Sequence, residues 1–260
     1  MKSVVQLNWL ACFALGAGLF VASSAMAAET VQVSAFAPAA DLSTQMDRYL
    51  KELEKVAASE DEYKDAELRL PKDANTIIVV ALSLGLHDEA NEYKKNASAI
   101  IKAAKELAVA KDFAGTKKAI AALEAAAAGK GAAGGALKWD KEASLPELMK
   151  AVPNINTKLK GYLKGTRFKS KAKDSQALVA TIAAIGQASA ADHSVTKNAD
   201  EVAQWEKFCI QMRDAAGKVN QSIHAGDAKA AEADMDKLTV ACDDCHAVFH
   251  KTGTTTATEK

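Results

Sequence analysis

The sequence is poor in proline and in aromatic residues. It contains four prolines and 5% aromatic residues over 260 positions, and it is rich in alanine, lysine and acidic residues. Because alanine, lysine and glutamate favour helix and proline breaks it, long stretches are free to be helical. Bases and acids balance at 33 each. This balance leaves no excess positive field to attract phosphates and argues against a nucleic-acid binder.

Long apolar runs are also missing, apart from one at the N-terminus. Lys2 precedes an apolar run from Trp9 to Val21, and a small-x-small cleavage pattern ends at Ala27. These features are typical of a secretory signal peptide, and the run is short for a membrane span. We therefore predict a signal peptide over residues 1–27, export to the periplasm and no stable membrane insertion. An uncleaved N-terminal anchor is the alternative.

Cysteine is too scarce and too oddly spaced for a disulfide framework. Cys12 belongs to the predicted signal peptide, so Cys209, Cys242 and Cys245 remain. An odd number of cysteines, two of them only three residues apart, does not suit a set of structural bridges.

What the sequence does have is a series of amphipathic helices. Apolar residues recur at three- and four-residue steps from Asp41 onward, and the pattern restarts after several closely spaced glycines. The predicted segments are a loose leader (28–40), a first four-helix segment (41–128), a glycine-rich linker (129–140), a second four-helix segment (141–251) and a disordered tail (252–260).

The two four-helix segments resemble each other. Asp73–Gly85 and Asp174–Gly186 have equal lengths and apolar residues in the same places, and order and spacing are similar over four elements. This favours a duplicated unit, although alanine-rich helices also align by coincidence. Four amphipathic helices with short turns most simply form an up-down-up-down bundle. We therefore predict an all-α fold of two tandem four-helix bundles.

One motif carries recognisable chemistry. Cys242-Asp-Asp-Cys245-His246 has the C-x-x-C-H spacing of covalent haem attachment. Two thiols one helical turn apart can reach the two vinyl groups on one porphyrin edge, and the adjacent imidazole can bind the iron. Leu238 and Phe249 share the apolar face of the two cysteines. We predict one covalent haem c, with Cys242 and Cys245 as thioethers and His246 as the proximal iron ligand.

Three other uses of the motif stay open. A zinc site could recruit His250, although such tight spacing is unlike known zinc fingers. A thioredoxin-like dithiol would need a preceding strand, and no strand is evident. A disulfide across a three-residue loop inside a helix has poor geometry.

With these residues in view, the second half resembles the class II cytochromes c, the cytochrome c′ and c-556 group, over about residues 140–251. Members are four-helix bundles with C-x-x-C-H near the end of the last helix. The further matching positions are the aromatic and basic residues after the motif (Phe249, His250, Lys251) and an aromatic and charged stretch early in the third helix (Trp205-Glu-Lys-Phe208).

The resemblance also implies a distal iron ligand. In c-556-like members a Leu-Met-Lys segment of the first helix supplies a methionine, and Leu148-Met149-Lys150 matches it. In an antiparallel bundle the start of the first helix lies beside the end of the last, so Met149 and His246 can face one iron. A His/Met haem implies electron transfer with a redox partner protein. No distal histidine or arginine is placed for peroxide chemistry, so we predict no enzyme activity.

Pro153 introduces an alternative. It removes the backbone hydrogen bond to the Met149 carbonyl and is expected to kink the helix. If the kink turns Met149 away, Ile155 or another apolar residue would cover the distal face. The iron would then be five-coordinate and bind small gases such as nitric oxide, as in the c′ members.

The first half has no cysteine and is predicted to be a haemless bundle. It could be a spacer, a dimer surface or a docking module, and the family resemblance implies that a homodimer can form. A mainly structural or interaction role is therefore a further hypothesis. The remaining candidates are assigned to the core (Met46, Met212, Met235), to a buried free thiol (Cys209) and to loops or helix ends (His87, His193, His224).

Overall fold

The computed structural model describes residues 31–130 and 135–250. The predicted signal peptide, the tail and residues 131–134 of the linker lie outside the described residues. The regular elements within the described ranges are all helical, so the all-α class is confirmed. Residues from Gln32 onward belong to one compact unit. None of the described helices has the length and apolarity needed to cross a membrane.

The α-helices in chain order are α1 (Ala39–Val56), α2 (Glu60–Ala66), α3 (Leu70–Leu86), α4 (Ala97–Ala108), α5 (Phe113–Ala127), α6 (Leu145–Tyr162), α7 (Arg167–Ser170), α8 (Ala172–Ser189), α9 (Ala199–His224) and α10 (Ala228–Phe249). The sequence pattern did not predict the short helices α2 and α7. The residues between Leu86 and Ala97 separate α3 from α4. The intervening turn is held by Asn91, whose Nδ2 donates to the Leu84 carbonyl at 2.9 Å.

Helices α3 and α8 form the centre of the fold. Every residue from Asp73 to Leu84 and from Ala177 to Ser189 is buried. A helix that is apolar all round must be covered on all sides. Helix α3 packs against α1, α4, α6 and α8, and α8 packs against α1, α3, α6 and α9. The helices before and after the glycine-rich segment therefore share one core.

The N-terminal segment is ordered and buried, contrary to the expected loose leader. A 3₁₀ turn spans Val33–Ala35, and Val33 and Ala37 are fully buried. The Arg213 guanidinium lies 5.0 Å from the centre of the Phe36 ring. Phe36 also lies so close to α9 that a Cβ on Gly217 would be 3.1 Å from its Cα. The leader prediction is thus wrong for residues 33–38, because their apolar side chains find a surface on α9.

Candidate haem site

The C-x-x-C-H residues lie on the last turns of α10. Its N-terminus is capped by Asp227, whose carboxylate accepts from the Ala230 amide at 2.9 Å. Cys242 and Cys245 are free, half-buried and one helical turn apart. His246 is exposed, and its ring centre is 5.5 Å from that of His250. The two thiols therefore share one face, as thioether attachment to one porphyrin edge requires.

An apolar cluster joins this helix to α6 and α9. Its buried members are Leu145, Trp205 and Cys209. Half-buried residues pack against it, among them Met149 from α6 and Cys245 from α10. The structure thus brings the predicted distal ligand and one predicted attachment cysteine to the same cluster.

Aromatic contacts fix the end of α10. Trp205 Nε1 donates to the Ser189 carbonyl at 2.9 Å, which holds the indole between α8 and α9. The Phe249 ring packs edge-on against Trp205 at 5.3 Å and against Phe208 at 6.2 Å between ring centres. Both aromatic residues of the Trp205-to-Phe208 stretch, which is part of the family resemblance, therefore contact Phe249, the aromatic residue after the motif.

The apolar face of α10 is incompletely covered beyond Leu238, its last buried residue. Cys242, Cys245 and Phe249 are half-buried, and Val240 is 56% exposed. Helices α6 and α10 barely touch each other directly, although both reach the cluster. The face of α10 that carries the cysteines is therefore only partly covered by its neighbouring helices.

A buried polar atom without a partner lies on the α6 side. The Oδ1 atom of Asn156 is buried and has no hydrogen-bond partner. Asn156 follows Met149 by seven residues, about two turns, and so lies on the same face of α6. Lys160, one turn further, is close enough to act on the Cys242 thiol electrostatically. Sequence reasoning missed Asn156, although its spacing from Met149 was a usable signal.

The thiols are not activated. Burial, with a contribution from Asp243, raises the pKa of Cys242 to about 11. Burial, with a contribution from Cys242, raises the pKa of Cys245 to about 11 as well. A reactive dithiol needs a lowered pKa, so these environments oppose the thioredoxin-like interpretation. Within the described helices there is also no strand to precede such a motif.

The side chains around the motif suit a haem better than a bare metal ion. In residues 31–130 and 135–250 no three His, Cys, Asp or Glu side chains converge to hold one. A haem brings four iron ligands of its own and needs from the protein two thiols on one face, axial donors and an apolar cleft. The two cysteines share one face with His246 directly after them, and Met149 and Cys245 pack against one apolar cluster, so the described residues include donors of the required types.

Several other sequence assignments were also tested. Met46, Met212 and Met235 are buried core residues, and Cys209 is a buried free thiol, as predicted. His193 is exposed and lies 3.0 Å from a Glu206 oxygen.

The alternative role of Ile155 is wrong, because it lies on another face of α6, against α1, α3 and α8. Helix α6 continues through Pro153 from Leu145 to Tyr162.

No protein-family model, curated protein or solved structure matches this chain. The case for the site therefore rests on the motif and on the geometry around it.

Proposed function

We propose that this protein is an exported monohaem c-type cytochrome that transfers electrons through a His/Met-ligated haem. The observation that carries the proposal is the shared cluster at which Met149 of α6 and Cys245 of α10 meet, between two helices that barely touch. A group inserted there would contact both residues.

The roles of the residues follow from their chemistry. Each thiol, of Cys242 and of Cys245, adds across one vinyl group. The sulfur bonds to one vinyl carbon and the hydrogen goes to the other, so no oxidant is needed. His246 would hold the iron through an imidazole nitrogen and Met149 through its thioether, a pair of donors that favours the reduced iron. The bound haem supplies the one-electron couple. Trp205 and Phe249 position the end of α10 by their edge-to-face contact.

We further propose that the fold is two tandem four-helix bundles of the class II cytochrome c type. The first would be α1, α3, α4 and α5, and the second α6, α8, α9 and α10. The repeated order of a long helix, a short helix and three long helices supports this. The predicted signal peptide supports export to the periplasm, where a redox partner protein would exchange electrons with the haem.

The first test is covalent attachment. The chain with its signal peptide is produced in a host that matures c-type cytochromes and is compared with the double variant Cys242→Ala/Cys245→Ala. We expect haem to stay with the wild-type chain on a denaturing gel and to be lost from the double variant. Cys209→Ala is the matched control and should keep the haem. A wild-type chain without bound haem would overturn the proposal.

The second readout assigns the distal ligand. Met149→Leu and the volume-matched control Met235→Leu are compared by optical spectra, oxidised and reduced, with and without carbon monoxide. We expect a low-spin spectrum insensitive to carbon monoxide in the wild type and the control, and loss of that insensitivity in Met149→Leu. A wild-type spectrum that is already high-spin and shifts with carbon monoxide would favour the gas-binding alternative.

A further inference from the structure

A second site lies on a different part of the molecule. A cavity of about 270 Å³ opens between α1, the start of α3, α6 and α8. Its apolar wall is formed by Ala151, Ile155 and Leu178. Both halves of the chain contribute to it, so neither half could form it alone.

The cavity carries excess positive charge. Four cationic side chains and two carboxylates line it (Arg48, Arg69, Lys72, Lys158; Glu52, Asp73). Arg69 Nη1 lies 2.6 Å from Asp73 Oδ2 and 3.4 Å from Glu52 Oε2, and Arg48 Nη2 lies 2.6 Å from an Asp174 oxygen outside the lining.

Lys72 and Lys158 make no ion pair within the described residues. These two ammonium groups are therefore available to an anion that enters from solvent.

Two buried polar side chains lie on the inner wall. Gln45 is only 3% exposed, and its Oε1 is buried without a hydrogen-bond partner. Tyr49 is 9% exposed, and burial with the nearby Asp73 raises the pKa of its hydroxyl, which stays protonated at neutral pH. An amide oxygen only accepts hydrogen bonds, so Gln45 Oε1 gives nothing to a carboxylate, and the attraction for an anion comes from Lys72 and Lys158.

We propose that this cavity binds a small organic anion, a monocarboxylate with a compact apolar body. The carboxylate would lie between Lys72 and Lys158, and the apolar body against Ile155 and Leu178. Lys158 follows Met149 by nine residues, which places the cavity on the side of α6 about 180° from Met149. The proposal therefore does not rest on the haem, and it gives the haemless half a role as one wall of a ligand site.

The test is calorimetric titration of the full mature chain with benzoate and, in parallel, hexanoate. Benzamide is the neutral match for benzoate, and inorganic phosphate is an anion without an apolar body. We expect one benzoate or hexanoate per chain, and binding at least tenfold weaker for benzamide and phosphate. Absence of binding by both carboxylates, or equal binding of benzamide, would overturn the proposal.

Variants locate the site. Lys72→Met/Lys158→Met removes the unpaired charges and should weaken carboxylate binding at least tenfold. Lys164→Met/Lys173→Met removes the same net charge at two exposed positions outside the cavity and should leave binding unchanged. Thermal unfolding without ligand checks that both double variants are folded. Equal weakening by the two pairs would show general attraction to charge and no site in the cavity.

Discussion

The two halves of the chain hold their entry segments, the residues before α1 and before α6, in similar ways. Their last helices, α5 and α10, pack differently. In each half, an aspartate that follows the central helix, α3 or α8, forms hydrogen bonds with the entry segment. Asp88, after α3, accepts from the backbone amide of Ser34 at 2.9 Å and from its hydroxyl. Asp192, after α8, accepts from Lys141 Nζ at 2.9 Å and from the Ser194 amide at 3.0 Å.

Each entry segment also contacts the opposite half of the chain. The segment before α1 packs its Phe36 on Gly217 of the second half. The segment before α6 packs Leu137 against Gly85 of the first half. In the same sense α1 packs on α8 and α6 packs on α3. The two helix contacts are reciprocal, whereas the two entry segments contact non-equivalent helices of the opposite half, α9 and α3.

The difference lies at the last helix of each half. Helix α5 buries its apolar side along most of its length, at Thr116, Ala119, Ile120, Leu123 and Ala126, and it contacts α1. Helix α10 has its last buried residue at Leu238 and stays nearly out of contact with α6. The first and last helices are therefore in looser contact in the half with the cysteines than in the half without them. This is what a group held between α6 and α10 would require.

The largest expected effect tests whether the two halves unfold cooperatively. Ile77 of α3 is fully buried, so Ile77→Ala should cost about 2–5 kcal/mol of unfolding free energy. Because α3 and α8 share a core, the loss should also reach the second half. Hydrogen exchange of α9 amides should accelerate along with that of α4.

The matched control for this prediction is Ile210→Ala on α9. Ile210 is 39% exposed, so its truncation should cost much less. If Ile77→Ala accelerated hydrogen exchange in the first half but left exchange in α9 unchanged, the two halves would be independent domains without a shared core.

A smaller effect is expected at the equivalent glycines of the two central helices. A Cβ on Gly186 would lie 2.8 Å from the Arg213 amide nitrogen and 2.9 Å from the Cys209 carbonyl oxygen, both backbone atoms of α9. Gly186→Ala should destabilise by about 1–3 kcal/mol, since α8 and α9 must separate. A Cβ on Gly85 would overlap the end of the Leu137 side chain, which can rotate away, and would lie 2.6 Å from the Ala97 Cβ of α4, which cannot. Gly85→Ala should therefore cost nearly as much as Gly186→Ala.

Urea unfolding of the two glycine variants measures both losses directly. The higher helix propensity of alanine offsets both values by up to about 1 kcal/mol, so the difference between the variants is the informative quantity. A much smaller loss for Gly85→Ala would mean that Ala97 and α4 shift more easily than the backbone of α9.

The smallest effect concerns acid stability of the first entry segment. Burial opposes ionisation of Asp88, but hydrogen bonds from Ser34 outweigh it and lower the pKa of Asp88 to about 2. A lowered pKa contributes stability that is complete above the ordinary value near 4 and is lost as the pH falls towards 2. The Asp88 side chain is 37% exposed, so screening keeps this contribution below about 1 kcal/mol.

Asp88→Asn checks this expectation by urea unfolding at several pH values. The variant should be slightly less stable than the wild type at pH 6, and the gap should close as the pH falls towards 2. A gap that stayed constant with pH would assign the effect to lost packing and not to the carboxylate.

Local residue patterns were sufficient for much of this molecule. The lack of proline and the three- and four-residue apolar steps predicted an all-helical chain. The C-x-x-C-H spacing placed Cys242, Cys245 and His246 together without any structure, because residues within one helical turn are neighbours in any helix. The equal lengths of Asp73–Gly85 and Asp174–Gly186 identified the two central helices.

Other features were decided only by packing between distant segments. The sequence predicted a loose leader, yet Val33 and Phe36 are buried, and Phe36 lies against Gly217 of α9, about 180 residues later in the chain. Asp41 lies inside α1, where its carboxylate accepts a hydrogen bond from Asn220 Nδ2 of α9 at 2.8 Å, between residues 179 positions apart. Which face of α6 meets the cysteines and which meets the cavity also depends on the helices around it. Helical periodicity defines the faces of a helix from its own residues, but the partner of each face is selected by the whole core.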